Sequence, residues 1–172
     1  MKETKRVLMV IAPEGFRDEE YREPRRILES KGCQVTVASR STEPSRGMLG
    51  LIVKPDVALD GVRTSDYDAI IFVGGRGAEA YYGDKKAHAL ATEALESGKP
   101  LGAICVAPTI LANAGVLKGR QATVWPSQSG ALASGGARYT GRPVEKDGTI
   151  ITADGPTSAV KFGEEVVRAL GL

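Results

Sequence analysis

The stretch AICVAPTILANAG sets one thiol, Cys105, between a short apolar run and a proline-started helical run. If PLGAI is a strand and VAPTILANAG a helix, the thiol stands on a sharp strand-to-helix turn, near the unpaired N–H groups of the helix start. A helix N-terminus acts as roughly half a positive charge, and a cysteine placed there falls from a free pKa of about 8.5 into a range of about 3.5–7.5. Read this way, Cys105 is a thiolate nucleophile. Read more simply, it is a buried small apolar residue, since free cysteine is among the most buried residue types. Cys33, which opens an ordinary strand after Lys31-Gly32, reads as core.

A carboxyl group is the second candidate. Over residues 18–31, helical spacing puts Glu20, Pro24, Ile27 and Leu28 on one face, so Glu20 points inward. Burial raises a carboxyl pKa, which makes Glu20 a protonated acid able to hydrogen-bond a thiolate. If the helix starts later, Glu20 merely supports its N-terminal end, worth ~0.3–1 kcal/mol.

The third feature is GGRGAEA (74–80), directly after the apolar run DAIIFV. Gly75-x-Gly77-x-x-Ala80 formally matches a dinucleotide fingerprint, but that motif opens a first βαβ unit and needs an acid about 20 residues on, at a strand end. Glu96 lies instead in helix-like ALESGKP, and no cofactor is expected. Gly74-Gly75 suits close backbone approach: their N–H groups, facing the Cys105 sulfur, form half of an oxyanion hole and the Val106 N–H the rest. The simpler reading is a turn needing positive φ. His88, the only histidine, sits at the shoulder of the stripe Ala87, Leu90, Ala91, Ala94 and Leu95, as a packed or half-exposed side chain does.

These residues need a frame, and the chain alternates strand-like with helix-like segments. RVLMVIA (6–12), CQVTVAS (33–39), DAIIFVGG (68–75) and PLGAIC (100–105) are the apolar runs of strands buried on both faces. DEEYREPRRILESKG (18–32) and GDKKAHALATEALESGKP (83–100) have helical spacing and stop at glycines. GRPVEKDGTIITADG (141–155) reads as a hairpin around Lys146-Asp147-Gly148, and PTSAVKFGEEVVRAL (156–170) as a closing helix. The expected fold is a doubly wound α/β sandwich with a mostly parallel sheet, whose sites gather at the C-terminal strand edge.

Composition bounds the function. A chain of 172 residues, 42% hydrophobic and 26% charged, suits one globular domain over 1–172. A net charge of +2 with mixed signs and no aromatic-basic stripe argues for neither nucleic acid nor membrane as partner. Two distant cysteines and one histidine support neither a disulfide framework nor a metal site, and a reducing cytoplasm fits. The N-terminal MKETKRVLMVIAPEG runs straight into PEGFRDEE and reads as a first strand rather than a signal peptide.

Taken in order, Glu20 and Pro24, GGRGAE, AICVAPTILANAGVLKGR, TVWPS and VEKDGTIITADGPTSAVKFGEEVVRAL resemble the ThiJ/PfpI superfamily over nearly the whole chain. The tail is similar to its deglycase branch; GGRGAE and TVWPS look more like its PfpI peptidase branch. The resemblance implies a flavodoxin-like fold and a homodimer or larger assembly. It implies Cys105 as nucleophile, Glu20 as its hydrogen-bonding acid, Glu79 as an acid given across a subunit boundary, and Gly75 and Val106 as backbone donors.

Two departures redirect the chemistry. PfpI-type peptidases carry histidine directly after the cysteine, where this chain has Val106, and deglycase-type members carry one near Trp125. Peptide hydrolysis needs a base for the nucleophile and an acid for the amine, a service of ~10²–10⁴-fold in rate. Without a Cys–His pair, the expected substrate is a small reactive carbonyl such as methylglyoxal or a group glycated by it, which a Cys–Glu pair suffices to convert. The alternatives are a redox sensor acting through oxidation of Cys105 and a peptidase or amidase using Cys105 and Glu79. Trp125 lines the pocket or packs beside it.

Overall fold

The computed structural model describes residues 3–172. In chain order its strands are β1 (Arg6–Val10), β2 (Glu14–Phe16), β3 (Gln34–Ser39), β4 (Ser45–Gly47), β5 (Ile52–Val53), β6 (Val57–Ala58), β7 (Ala69–Phe72), β8 (Leu101–Ile104), β9 (Gln121–Ala122), β10 (Arg138–Tyr139), β11 (Val144–Asp147) and β12 (Ile150–Ala153). The helices are α1 (Asp18–Ser30), α2 (Lys85–Glu96), α3 (Pro108–Asn113), α4 (Ser129–Ser134) and α5 (Ala159–Ala169).

The main sheet has seven strands in the order β11-β12-β8-β7-β1-β3-β6. All its pairings are parallel except the hairpin β11/β12. Without that hairpin partner and the two-residue edge strand β6, the order is second, first, third, fourth, fifth, which is the flavodoxin-like winding.

The apolar runs alternate between two cores. Leu8, Val10, Ile70, Phe72, Leu101 and Ala103 face Leu90 of α2, Ile110 of α3 and Leu132 of α4. Val7, Met9, Ile71 and Ile104 face Ile27 and Leu28 of α1 and Phe162 and Val166 of α5. Because successive strand residues point to opposite faces, covering both faces with helices requires apolar residues on both, as β7 and β8 and the buried part of β1 show, whereas β3 is buried only over Val37–Ser39. On β8 Gly102 is small because an added Cβ would lie 2.8 Å from Cζ of Phe162.

Two smaller structures were absent from the expectations: the three-stranded sheet β2-β4-β5 and the pair β9/β10. Their strands are two or three residues long, too short to carry a period. The strand expected over 68–75 ends at Phe72, after which Val73 bonds the Val10 carbonyl at 3.0 Å and the glycines turn. The helix expected over 83–100 is shorter, Lys85–Glu96, starting behind Asp84, whose side chain accepts from the Ala87 N–H at 2.8 Å. The expected hairpin and closing helix are present as β11/β12 and α5. Among the described residues no helix is long and apolar enough to cross a membrane.

Candidate active site

Parallel strands deliver their following loops to one edge, and there β1, β7 and β8 bring together the start of α1, Gly74-Gly75 and Cys105. Cys105 has φ 64°, the one positive φ at a non-glycine among the described residues. Such a conformation costs roughly 1–3 kcal/mol and persists only where neighbours enforce it. Here the Cys105 N–H donates to Ala153 at 2.9 Å, and its carbonyl accepts from the Trp125 N–H at 2.7 Å. The turn lifts the sulfur toward the N–H groups of Gly75 and Val106, which favour its ionised form.

Glu20 is the third residue of α1, within its first turn, and is fully buried. Its carboxyl faces the Cys105 thiol and the Gly74 N–H, and neither oxygen completes a hydrogen bond. Burial pushes it up to about 8, against smaller downward pulls from the Cys105 thiol and the Arg17 charge. At neutral pH the acid is therefore protonated, with its O–H available to the sulfur.

The helix-start argument for a low thiol pKa does not hold. Cys105 is 8% exposed, and burial, followed by the Glu20 charge, pushes its thiol up to about 12. The Gly75 and Val106 N–H groups pull the other way, less strongly. The physical reason is distance and size: α3 begins only at Pro108 and has six residues, too little dipole to offset desolvation. With Glu20 protonated the charge repulsion vanishes, leaving burial opposed by three hydrogen-bond donors.

Gly74 and Gly75 have close neighbours. A Cβ on Gly74 would lie 2.5 Å from Glu20 Oε1 and 2.6 Å from the Cys105 Cβ. One on Gly75, at φ 96°, would lie 2.4 Å from both the Arg17 N and the Gly15 O. Close approach and positive φ thus both apply at Gly75.

Above the thiol is a cavity of about 260 Å³. Cys105, Gly75 and Val106 line it together with Trp125, Met48 and the side chains of Arg17 and Arg76. Trp125 therefore lines the pocket, and its ring also rests on Gly155, where a Cβ would lie 3.0 Å from Cε3 and Cζ3. Met48 is placed by Asp18, which is buried and accepts from the N–H groups of Leu49 at 3.1 Å and Leu51 at 3.0 Å.

The remaining sequence candidates lie apart. Glu79 is exposed on the 3-10 segment Arg76–Tyr81 and does not line its own chain's cavity. His88 is half-buried on α2, its Nε2 2.8 Å from the Tyr82 carbonyl oxygen, and also lies outside the cavity. Cys33 is buried in the core beneath α1. Arg17, Met48 and Arg76 were missed. Arg76 stood in plain view inside GGRG, whereas Met48 reaches the site through a small sheet without sequence periodicity.

The DJ-1/PfpI family model matches residues 5–169. An uncharacterized protein of Methanocaldococcus jannaschii is 43% identical over 173 residues, covering 99% of this chain and 84% of its own. A deglycase of Thermococcus kodakarensis is 32% identical over 163 residues, covering 95% of this chain and 98% of its own. A glutathione-independent glyoxalase of Caenorhabditis elegans is 31% identical, with coverage of 99% and 91%. The crystal structure of a ThiJ/PfpI domain protein from Brachyspira murdochii superposes with a TM-score of 0.95 at 32% identity, covering 99% of this chain and 98% of that one. With the parallel sheet and the Cys105 turn both inside the matched span, the chain belongs to the DJ-1/PfpI family.

Proposed function

We propose that the protein is a cysteine-dependent glyoxalase and deglycase acting on small 2-oxoaldehydes and on groups glycated by them. The observation that carries this reading is the fully buried, unpartnered Glu20 carboxyl facing the Cys105 thiol on the floor of a small cavity. Relatives named deglycase and glyoxalase support the same chemistry.

The sulfur adds to the aldehyde carbon, its proton passing to the new oxygen, and the Gly75 and Val106 N–H groups steady charge on that oxygen. In molecules whose Glu20 has released its proton to solvent, the carboxylate takes the proton from the former aldehyde carbon and returns one to the adjacent ketone carbon, leaving a thioester of a 2-hydroxy acid. Water cleaves the thioester, releasing the acid and restoring the thiol. One aldehyde carbon is oxidised, one ketone carbon is reduced and one water is consumed. A glycated amine or thiol yields the same acid plus the freed group. By family likeness Glu79 serves the cavity of a second copy in a homodimer.

Lactate formed from methylglyoxal tests the reading, with Cys105→Ala and Glu20→Gln both reduced to the buffer rate. Wild type and variants alike at the buffer rate would end it. A redox role is the second reading, favoured by the Glu20 carboxyl facing the sulfur, where in its protonated form it would stabilise a sulfinate. Intact mass after mild peroxide, with two oxygens gained on Cys105 and no dicarbonyl turnover, selects that reading instead. A peptidase through Cys105 and Glu79 has the least support, because no histidine lines the cavity.

A further inference from the structure

The rim of the cavity carries more positive charge than a neutral dicarbonyl requires. Two arginines, Arg17 and Arg76, line it, and no carboxylate of the same chain does. Arg17 is already paired: its Nε and Nη2 donate to the two oxygens of Glu19 at 3.0 and 2.9 Å, and its backbone N–H donates to the Gly74 carbonyl at 2.9 Å. Arg76 is different: among the described residues no carboxylate pairs with it. Arg6, Arg46 and Arg138 have no such partner either, but they lie outside the cavity. Its stem is placed beside Gly15, where an added Cβ would lie 3.5 Å from the Arg76 Cγ.

Arg76 directly follows Gly75, which lines the cavity beside Cys105 and whose N–H favours the ionised sulfur. A reacting carbonyl at Cys105 thus has an unpaired planar fork of donors one residue along the same loop. Such a fork recognises carboxylates through two parallel hydrogen bonds. Methylglyoxal makes no use of it.

We propose that the cavity selects anionic carbonyl compounds, and that its substrate is a 2-oxoaldehyde bearing a carboxylate, which Arg76 holds while the aldehyde meets Cys105. The substrate part rests on the glyoxalase reading; anion selection rests on the cavity alone. A compound of this class, 4,5-dioxopentanoate, would take up one water and leave as 2-hydroxyglutarate, its aldehyde carbon oxidised and its ketone carbon reduced.

Two alkylating agents of nearly equal shape isolate the charge effect: iodoacetate, an anion, and iodoacetamide, which is neutral. Their rates at Cys105 are followed by peptide mass mapping and compared with glutathione. The iodoacetate-to-iodoacetamide ratio is expected to exceed that of glutathione by about tenfold at low salt and to shrink in about 0.5 M sodium chloride. Arg76→Gln is expected to bring it close to the glutathione value. A ratio no higher than that of glutathione overturns the proposal, whatever the enzyme turns over.

The second arm compares kcat/KM for 4,5-dioxopentanoate and methylglyoxal, expected to favour the anion by about tenfold through KM, with the preference lost in Arg76→Gln. Equal turnover of both overturns the substrate assignment and leaves the glyoxalase reading standing. A raised alkylation ratio with neither compound converted overturns the glyoxalase reading and the substrate assignment together, while anion selection holds.

Discussion

The carboxyl of Glu20 and the thiol of Cys105 meet below one cavity, the first carried by the opening turn of α1 and the second by the turn after β8. Burial pushes both toward their neutral forms, Glu20 up to about 8 and Cys105 up to about 12. Two negative charges in that space repel, so the pair loses its first proton as a unit. The kcat/KM for methylglyoxal is expected to rise with pH through about 8, and a profile flat from pH 6 to about 9 would contradict this assignment.

Glu20→Gln separates the two roles of the acid. Turnover is expected to fall by ~10²–10⁴-fold, because glutamine moves no proton. Alkylation of Cys105 by iodoacetamide near pH 9 is expected to speed up, because the second-largest cause raising its thiol pKa, the Glu20 charge, is gone. Slower alkylation in the variant would show that Glu20 assists ionisation even at that pH.

The same buried acid makes stability depend on pH. Its pKa rises from 4.5 to about 8 on folding, so the folded state holds the proton more tightly. The stability it contributes is present in full below pH 4.5 and is lost as pH rises to about 8. Cys105, raised from 9.0 to about 12, adds its own loss only above pH 9. Urea unfolding of wild type and Glu20→Gln is expected to diverge between pH 5 and about 8, the variant gaining a few kcal/mol on the wild type, at ~1.4 kcal/mol per pKa unit. Parallel curves would mean that the carboxyl is solvated.

Gly75→Ala places a methyl group 2.4 Å from two backbone atoms and asks an L-residue to hold φ 96°. The loop must shift, taking the Gly75 N–H off the sulfur. The expected result is a loss of ~10²–10³-fold in kcat, the usual effect of removing one oxyanion donor, together with a lower Tm. Full activity in a folded Gly75→Ala protein would remove Gly75 from the mechanism.

His88→Ala tests the opposite expectation. The ring meets the Tyr82 carbonyl, away from the cavity, so methylglyoxal turnover is expected to stay within about twofold of wild type and stability to fall by ~1 kcal/mol. A loss of activity beyond tenfold with unchanged Tm would bring histidine back into the catalysis.

The strands and long helices were legible in the sequence because each follows from local chemistry. Continuous apolar runs at β1, β3, β7 and β8 need cover on both faces, and Pro108 and Gly148 mark a helix start and a hairpin turn wherever they fall. Helical spacing alone turned Glu20 inward, and the Gly-Gly pair after an apolar run pointed to close backbone approach. The ionisation of Cys105 was not legible. A helix start argues for the thiolate, but the opposing desolvation depends on how α1, the 74–75 turn and β12 close around the sulfur, and no local pattern encodes that closure. Likewise Arg17, Met48 and Trp125 share a cavity wall only because parallel strands bring distant loops to one edge of the sheet. The sequence by itself determined which groups bear chemistry and which segments carry them. The tertiary structure alone decided their protonation and their company, because burial and proximity are properties of the packed whole.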